Sequence, residues 1–345
     1  MSGEHATQTP PNSSAAVVNA STPSPTDALE LIAAADLISA ANRAYAVLAA
    51  TAFVAGCFLL YGFVDTWRAR RRVTWLDRLL WAFCGLQLLL LLFSLYNVVH
   101  RPHSLRTAAL GCAALSFAIN TASLCGLLVL ALMAYGLALD PPSNGFLRRP
   151  GICAALVVLP SVCISLLLAG VRGLSDGLRQ ETDCFMDPVH AGVSYAVAKL
   201  CLAFLIPYVL QLALLTCGCV QQRQSNGRFL SGSEQTPVFL AVSVTLLFCH
   251  LFYAAALVRA ARTQARGELS HRQRAFVSVA ELVFFAGSCA CLALVPFAHR
   301  PSRERLVGLF RRAADRCPCP AHAQPNRNII TPHIEITDTL QDIES

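Results

Sequence analysis

Four polar side chains interrupt long apolar stretches of this sequence: Asn120, Lys199, His250 and Glu281. Lys199 is the single lysine among 27 basic residues, the rest being arginine. An ionisable group in hydrocarbon is costly and marks a functional site by default. A cation, a carboxylate, an amide and an imidazole converging between helices would line a cavity for a charged or hydrogen-bonding ligand. A structural reading of the same residues stays open. In it Lys199 and Glu281 snorkel or pair, Asn120 bonds a neighbouring backbone, and His250 is a neutral core imidazole. The sequence has no H-E-x-x-H, no Ser/His/Asp set at a membrane face and no Gly-rich phosphate loop, so neither an enzyme nor a bound cofactor is expected.

Cysteine is the other reactive residue type, with fifteen copies. Most lie inside apolar stretches, where a thiol behaves as a small hydrophobe. Cys184 sits between two such stretches, and Cys112, near the start of another, is its candidate disulfide partner in an oxidising exterior. Two unpaired thiols are the alternative. Cys317 and Cys319 follow an amphipathic segment, Ser302 to Asp315, in which Leu306, Leu309 and Phe310 share a face opposite several arginines. A helix of that kind would lie along a membrane surface, and the two cysteines then read as S-palmitoylation sites. Metal ligation by Cys317, Cys319 and His322 is the weaker alternative because it lacks a fourth ligand.

These residues need a scaffold, and composition indicates which kind. Of 345 residues, 55% are hydrophobic and 14% charged, against roughly 25% charged in soluble domains. Seven segments, 44–64, 76–99, 105–139, 151–171, 192–220, 237–258 and 275–298, are apolar, each matching the roughly 20 residues that cross a hydrocarbon core. The reading is an all-α membrane protein: a seven-transmembrane helix bundle at 43–299 followed by a short amphipathic surface helix at 300–316. Short connections make neighbouring helices antiparallel, and the long third segment implies tilt or projection. Paired inverted repeats with broken helices are missing, which argues against a transporter.

Orientation follows from two signals. Residues 1–42 contain no Lys or Arg, read as a disordered extracellular tail without a cleavable signal peptide, and hold two glycosylation sequons at Asn12 and Asn19. With the N-terminus outside, sixteen arginines fall in inner loops and the tail and nine in outer loops, as expected where basic residues mark the cytoplasmic side. The last outer loop, Arg259 to Arg274, breaks the rule with five arginines. It would attract an anionic ligand, or be a solvated basic loop, or signal that the last two spans are reversed.

This arrangement resembles a rhodopsin-like G-protein-coupled receptor over most of residues 40–320. Phe204-Leu205-Ile206-Pro207 looks like the fifth-span F-x-x-P, and Phe248-Cys249-His250-Leu251-Phe252 stands where the family has C-W-x-P, with Cys249 retained. Several positions depart from the family. His250 replaces its Trp and Phe252 its kinking proline. Met133-Ala134-Tyr135 aligns with D-R-Y, or Gly136-Leu137-Ala138 does in a register anchored on Cys112; both lack the arginine. Val295-Pro296-Phe297-Ala298-His299 keeps only the proline of N-P-x-x-Y, and Gln87 stands in a second span without aspartate. Similar departures occur among orphan vertebrate and herpesvirus-encoded receptors.

The resemblance implies a plasma-membrane receptor coupled to heterotrimeric G protein, with or without ligand. It implies control of the helix-opening equilibrium by something other than the missing arginine and tyrosine. The cytoplasmic tail 317–345 becomes acidic and carries Thr331, Thr337, Thr339 and Ser345, as an arrestin-like partner would require. Membrane lipid is the remaining partner, and nucleic acid is not expected. The alternative function is a non-signalling decoy, scaffold or trafficking protein with the same fold.

Overall fold

The fold is that of a computed structural model, which describes residues 25–70, 74–100, 105–138, 149–171, 181–184, 192–226 and 235–316. Its helices are α1 (Pro25–Arg70), α2 (Trp75–His100), α3 (Ala109–Ala138), α4 (Pro150–Val171), α5 (Gly192–Ala198), α6 (Ile206–Asn226), α7 (Thr236–Ala265), α8 (His271–Ala298) and α9 (Arg300–Arg316). A π-helical stretch, Lys199–Leu205, joins α5 to α6 in one rod. Counting that rod once, seven helices among the described residues are long and apolar enough to span a membrane. This is a multi-pass membrane protein.

Helix limits follow local chemistry more than hydropathy. Pro25 opens α1, where its missing N–H costs nothing, and the Ala- and Leu-rich run that follows is a strong helix former. Residues 25–42, read from sequence as tail, are therefore helical. Residues 105–108, read as the start of the third span, instead form strand β1 (Leu105–Ala108), which pairs antiparallel with β2 (Glu181–Cys184), Leu105 opposite Cys184. Arg106 and Thr107 make this stretch too polar for hydrocarbon, and pairing satisfies its backbone. The sixth span runs on to Ala265, so Arg259 and Arg262 of the expected loop are helical. Gly267, at φ 75°, makes the turn into α8, a conformation glycine adopts without steric cost.

Two helices form the centre. α3 packs on α2, α4 and α6, and α8 packs on α1, α2 and α7. The core between them includes Phe83, Leu91, Leu130, Met133, Phe239 and Phe285, all essentially inaccessible. In lipid, helices associate through close approach of small residues. The carboxy-terminal end of α3 does this at Gly136, where a β-carbon would overlap Trp75 of α2, and at Ala138, which lies against Gly218 of α6. The described residues from Glu304 on form a separate unit, the helical continuation of α9, with Val307, Leu309 and Phe310 exposed.

Replacing Gly218 or Gly136 by Ala forces backbones apart, at about 1–3 kcal/mol for overpacking. Gly85→Ala, where an added carbon meets nothing within 4 Å, adds helix propensity instead. Thermal unfolding of the detergent-solubilised chain should show a lowered midpoint for G218A and G136A and an equal or raised one for G85A.

Candidate functional site

Pro207 decides the geometry of the fifth span. It lacks an amide proton and its ring crowds the preceding turn, and the chain just before it winds as a π-helix, the Ile206 N–H donating to the Cys201 carbonyl five residues back. Such segments cluster at functional sites. Lys199 is the first residue of this one.

Lys199 Nζ lies 5.0 Å from the centre of the Tyr253 ring and 5.7 Å from that of Tyr195, and donates a long hydrogen bond to Tyr253 Oη at 3.5 Å. Each ring face is worth ~0.5–2 kcal/mol to the ammonium. Glu281, buried on α8, lies within electrostatic reach of Lys199. His250 packs on Phe284 with centroids 4.7 Å apart and meets Tyr208 edge-on at 6.2 Å. Asn120, Lys199, His250, Tyr253 and Phe284 border a common cavity of ≈ 30 Å³. That is room for about one water, far below the roughly 300–1,000 Å³ of ligand pockets. Asn120, Lys199 and His250 are thus brought together, and Glu281 does not line that cavity. Tyr195 and Tyr253 escaped the sequence reading because an aromatic in an apolar run carries no signal, although Tyr195 stands one turn from Lys199.

A second polar cluster closes the opposite face, built from His299 and from residues the sequence did not single out. Thr74 caps α2: its Oγ1 accepts from the Asp77 amide at 3.1 Å and donates to Asp77 Oδ2 at 2.6 Å, a capping arrangement worth ~1 kcal/mol. The cap aims the other carboxylate oxygen across the bundle, where it accepts from Nε2 of Gln235, the residue that begins α7. Oδ1 also lies 3.6 Å from Nε2 of His299, and His299 Nδ1 pairs with Ser302 Oγ at 2.8 Å. The tautomer protonated at Nε2, with Ser302 donating to Nδ1, satisfies both contacts. Phe63 packs on the His299 ring at 5.9 Å and on Trp81 at 6.0 Å. One carboxylate therefore gathers the starts of α2 and α7 and the end of α8. The signal available in sequence was Thr74-x-x-Asp77; nothing marked Gln235.

Of the positions compared with family motifs, His299 belongs to this cluster. Met133 and Ala134 are fully buried, Tyr135 is half-buried, and Pro207 and Pro296 are buried. Cys249 packs against Gly287, whose β-carbon would lie 3.1 Å from Cys249 Cβ. Gln211 Nε2 donates to the Leu127 carbonyl at 3.1 Å, tying α6 to α3. Asn12, Asn19, Cys317 and Cys319 lie outside the described residues, as do the side chains of Cys112 and Cys184. Among the described residues no cluster of metal-ligating side chains occurs.

The seven helices have a rhodopsin-like fold. Among solved structures the chain is similar to the crystal structure of squid rhodopsin, with a TM-score of 0.57 and 12% identity over 84% of this chain and 88% of that one. No family model matches the sequence, and no curated protein does.

Glu281→Gln and Lys199→Met should each lower the thermal midpoint by removing one partner of the electrostatic contact between them. The double variant should lose less than the sum, by a coupling of about 1 kcal/mol, within the range for interacting residues. Strictly additive losses would mean that the two charges do not interact.

Proposed function

We propose that the protein is a plasma-membrane receptor that passes a signal to heterotrimeric G protein. Its resting state would be held at the inner face by Asp77 rather than by a third-span arginine. The observation that carries this reading is the bond from Gln235 at the start of α7 to Asp77, reinforced by His299. Outward movement of the inner end of α7 requires that bond to break. Gly136 and Ala138 fill the inner end of α3 with close packing, so the cross-link between helix ends comes from α2 instead. In this reading the N-terminus is outside and glycosylated at Asn12 and Asn19, Cys112 pairs with Cys184, and Cys317 and Cys319 are acylated beside a surface-lying α9. The acidic tail would serve an arrestin-like partner.

A hydrogen bond to a charged group contributes roughly 1.5–3 kcal/mol, so its loss shifts a two-state equilibrium tenfold or more. Asp77→Ala and Gln235→Ala should each raise ligand-free guanine-nucleotide exchange several-fold in membranes matched for receptor amount, assayed across all G-protein classes. Exchange that stays at the level of receptor-free membranes for the parent and both variants would sink this reading and leave a non-signalling scaffold. Sequons inserted between Gly267 and Ser270 should be glycosylated if that loop faces outward.

A further inference from the structure

The outer end of α7 carries a groove that neither polar cluster uses. It encloses ≈ 600 Å³ between α7, the α7–α8 turn and Leu200 of the π-helical stretch. Its floor is apolar, from Leu251, Ala255 and Val258 of α7 together with Leu200. Its upper part is basic, from Arg259, Arg262 and Arg266. Residues 251, 255, 258 and 262 follow steps of four, three and four, which places them in one file along α7, and Arg266 follows at its C-cap. The file changes from hydrocarbon to guanidinium along roughly 16 Å of helix at 1.5 Å per residue.

We propose that this groove binds a single-chain lipid bearing a phosphate monoester, its acyl chain along Leu251 and Ala255 and its phosphate between Arg262 and Arg266. Three observations select that occupant. Leu251 and Ala255 are exposed in a membrane-spanning helix, so a partner that covers them lies in hydrocarbon, which excludes an acidic peptide. Leu251, Ala255 and Val258 lie in a single file along α7, which suits one acyl chain. Three guanidiniums against one carboxylate, Glu268, leave two positive charges on the groove, matching the roughly −1.5 to −2 charge of a phosphate monoester. Arginine also binds phosphate through two parallel hydrogen bonds. Arg259 and Gln273 further line a second cavity of ≈ 220 Å³ on the α8 side with Arg272, so the basic rim continues over the top of the bundle.

The proposal rests on the receptor reading only for the leaflet from which the lipid arrives. Nanodiscs of neutral phosphatidylcholine expose both faces, so binding is measured independently of signalling. The full chain in such nanodiscs is titrated with fluorescent lysophosphatidic acid. Binding should saturate and be displaced by unlabelled lysophosphatidic acid, but not by lysophosphatidylcholine of the same chain length or by inorganic phosphate. The double variant Arg262→Gln/Arg266→Gln should raise Kd at least tenfold. So should Ala255→Trp and Leu251→Gln, which alter the floor without touching charge, while Arg305→Gln leaves Kd unchanged. Thermal midpoints of the variants check that each is folded. Displacement by lysophosphatidylcholine would reduce the groove to a chain-binding surface. Displacement by inorganic phosphate, with both floor variants binding normally, would reduce it to a surface anion site. Either result, or non-saturating uptake, overturns the proposal. Saturable binding without G-protein exchange would overturn the receptor reading and leave the lipid site standing.

Discussion

Hydrocarbon offers no hydrogen-bond partner to a peptide group, and the rest of this structure depends on that constraint. Each apolar stretch must satisfy its own backbone, so it is helical, and a polar side chain within it gains by finding a partner in the bundle. Hydroxyls bond back to their own helices, as Ser161 does to the Val157 carbonyl and Thr245 to that of Ala241. Longer groups reach across: Gln211 bonds the α3 backbone, and the Tyr45 hydroxyl pairs with Ser94 between α1 and α2. Lys199, at the start of the π-helical stretch, lies between the ring of Tyr195 one turn back and that of Tyr253 on α7, within the field of Glu281.

The same constraint distinguishes the two ends of the bundle. Near Lys199 aromatic rings fill much of the space, and the cavity left is about one water in size. At the opposite end an aspartate receives Thr74, Gln235 and His299 together. A carboxylate shared by three helix ends is specific in geometry, and its bond to Gln235 breaks when the start of α7 moves away, which is a property a two-state element needs. The close-packed glycine and alanine at the end of α3 leave little room for a long basic side chain at that place.

Much of the fold was legible residue by residue because hydropathy and helix length are both local. The segments around Trp81, Leu130, Val157 and Leu292 could hardly be anything but spans. Errors arose where a neighbouring property overrode hydropathy: Pro25 started α1 early, Arg106 and Thr107 turned the expected beginning of α3 into a strand, and Arg259 and Arg262 extended α7 because arginine is a good helix former. The polar residues inside the spans were equally visible, and Asn120, Lys199 and His250 proved to share one cavity. Asp77 looked like an ordinary first-turn acid, although the Thr74 cap that orients it was readable.

The sequence by itself determined that the chain has seven stretches long and apolar enough to cross a membrane, and which charges lie within them. These depend on residue type and spacing along one helix. Only the tertiary structure decided that Asp77 meets Gln235, 158 positions away, that Tyr253 shares the Lys199 ammonium, and that Gly218 lies against Ala138. Such pairings depend on how helices rotate and approach one another, and that is set by the packing of whole faces, a property no single stretch of sequence carries.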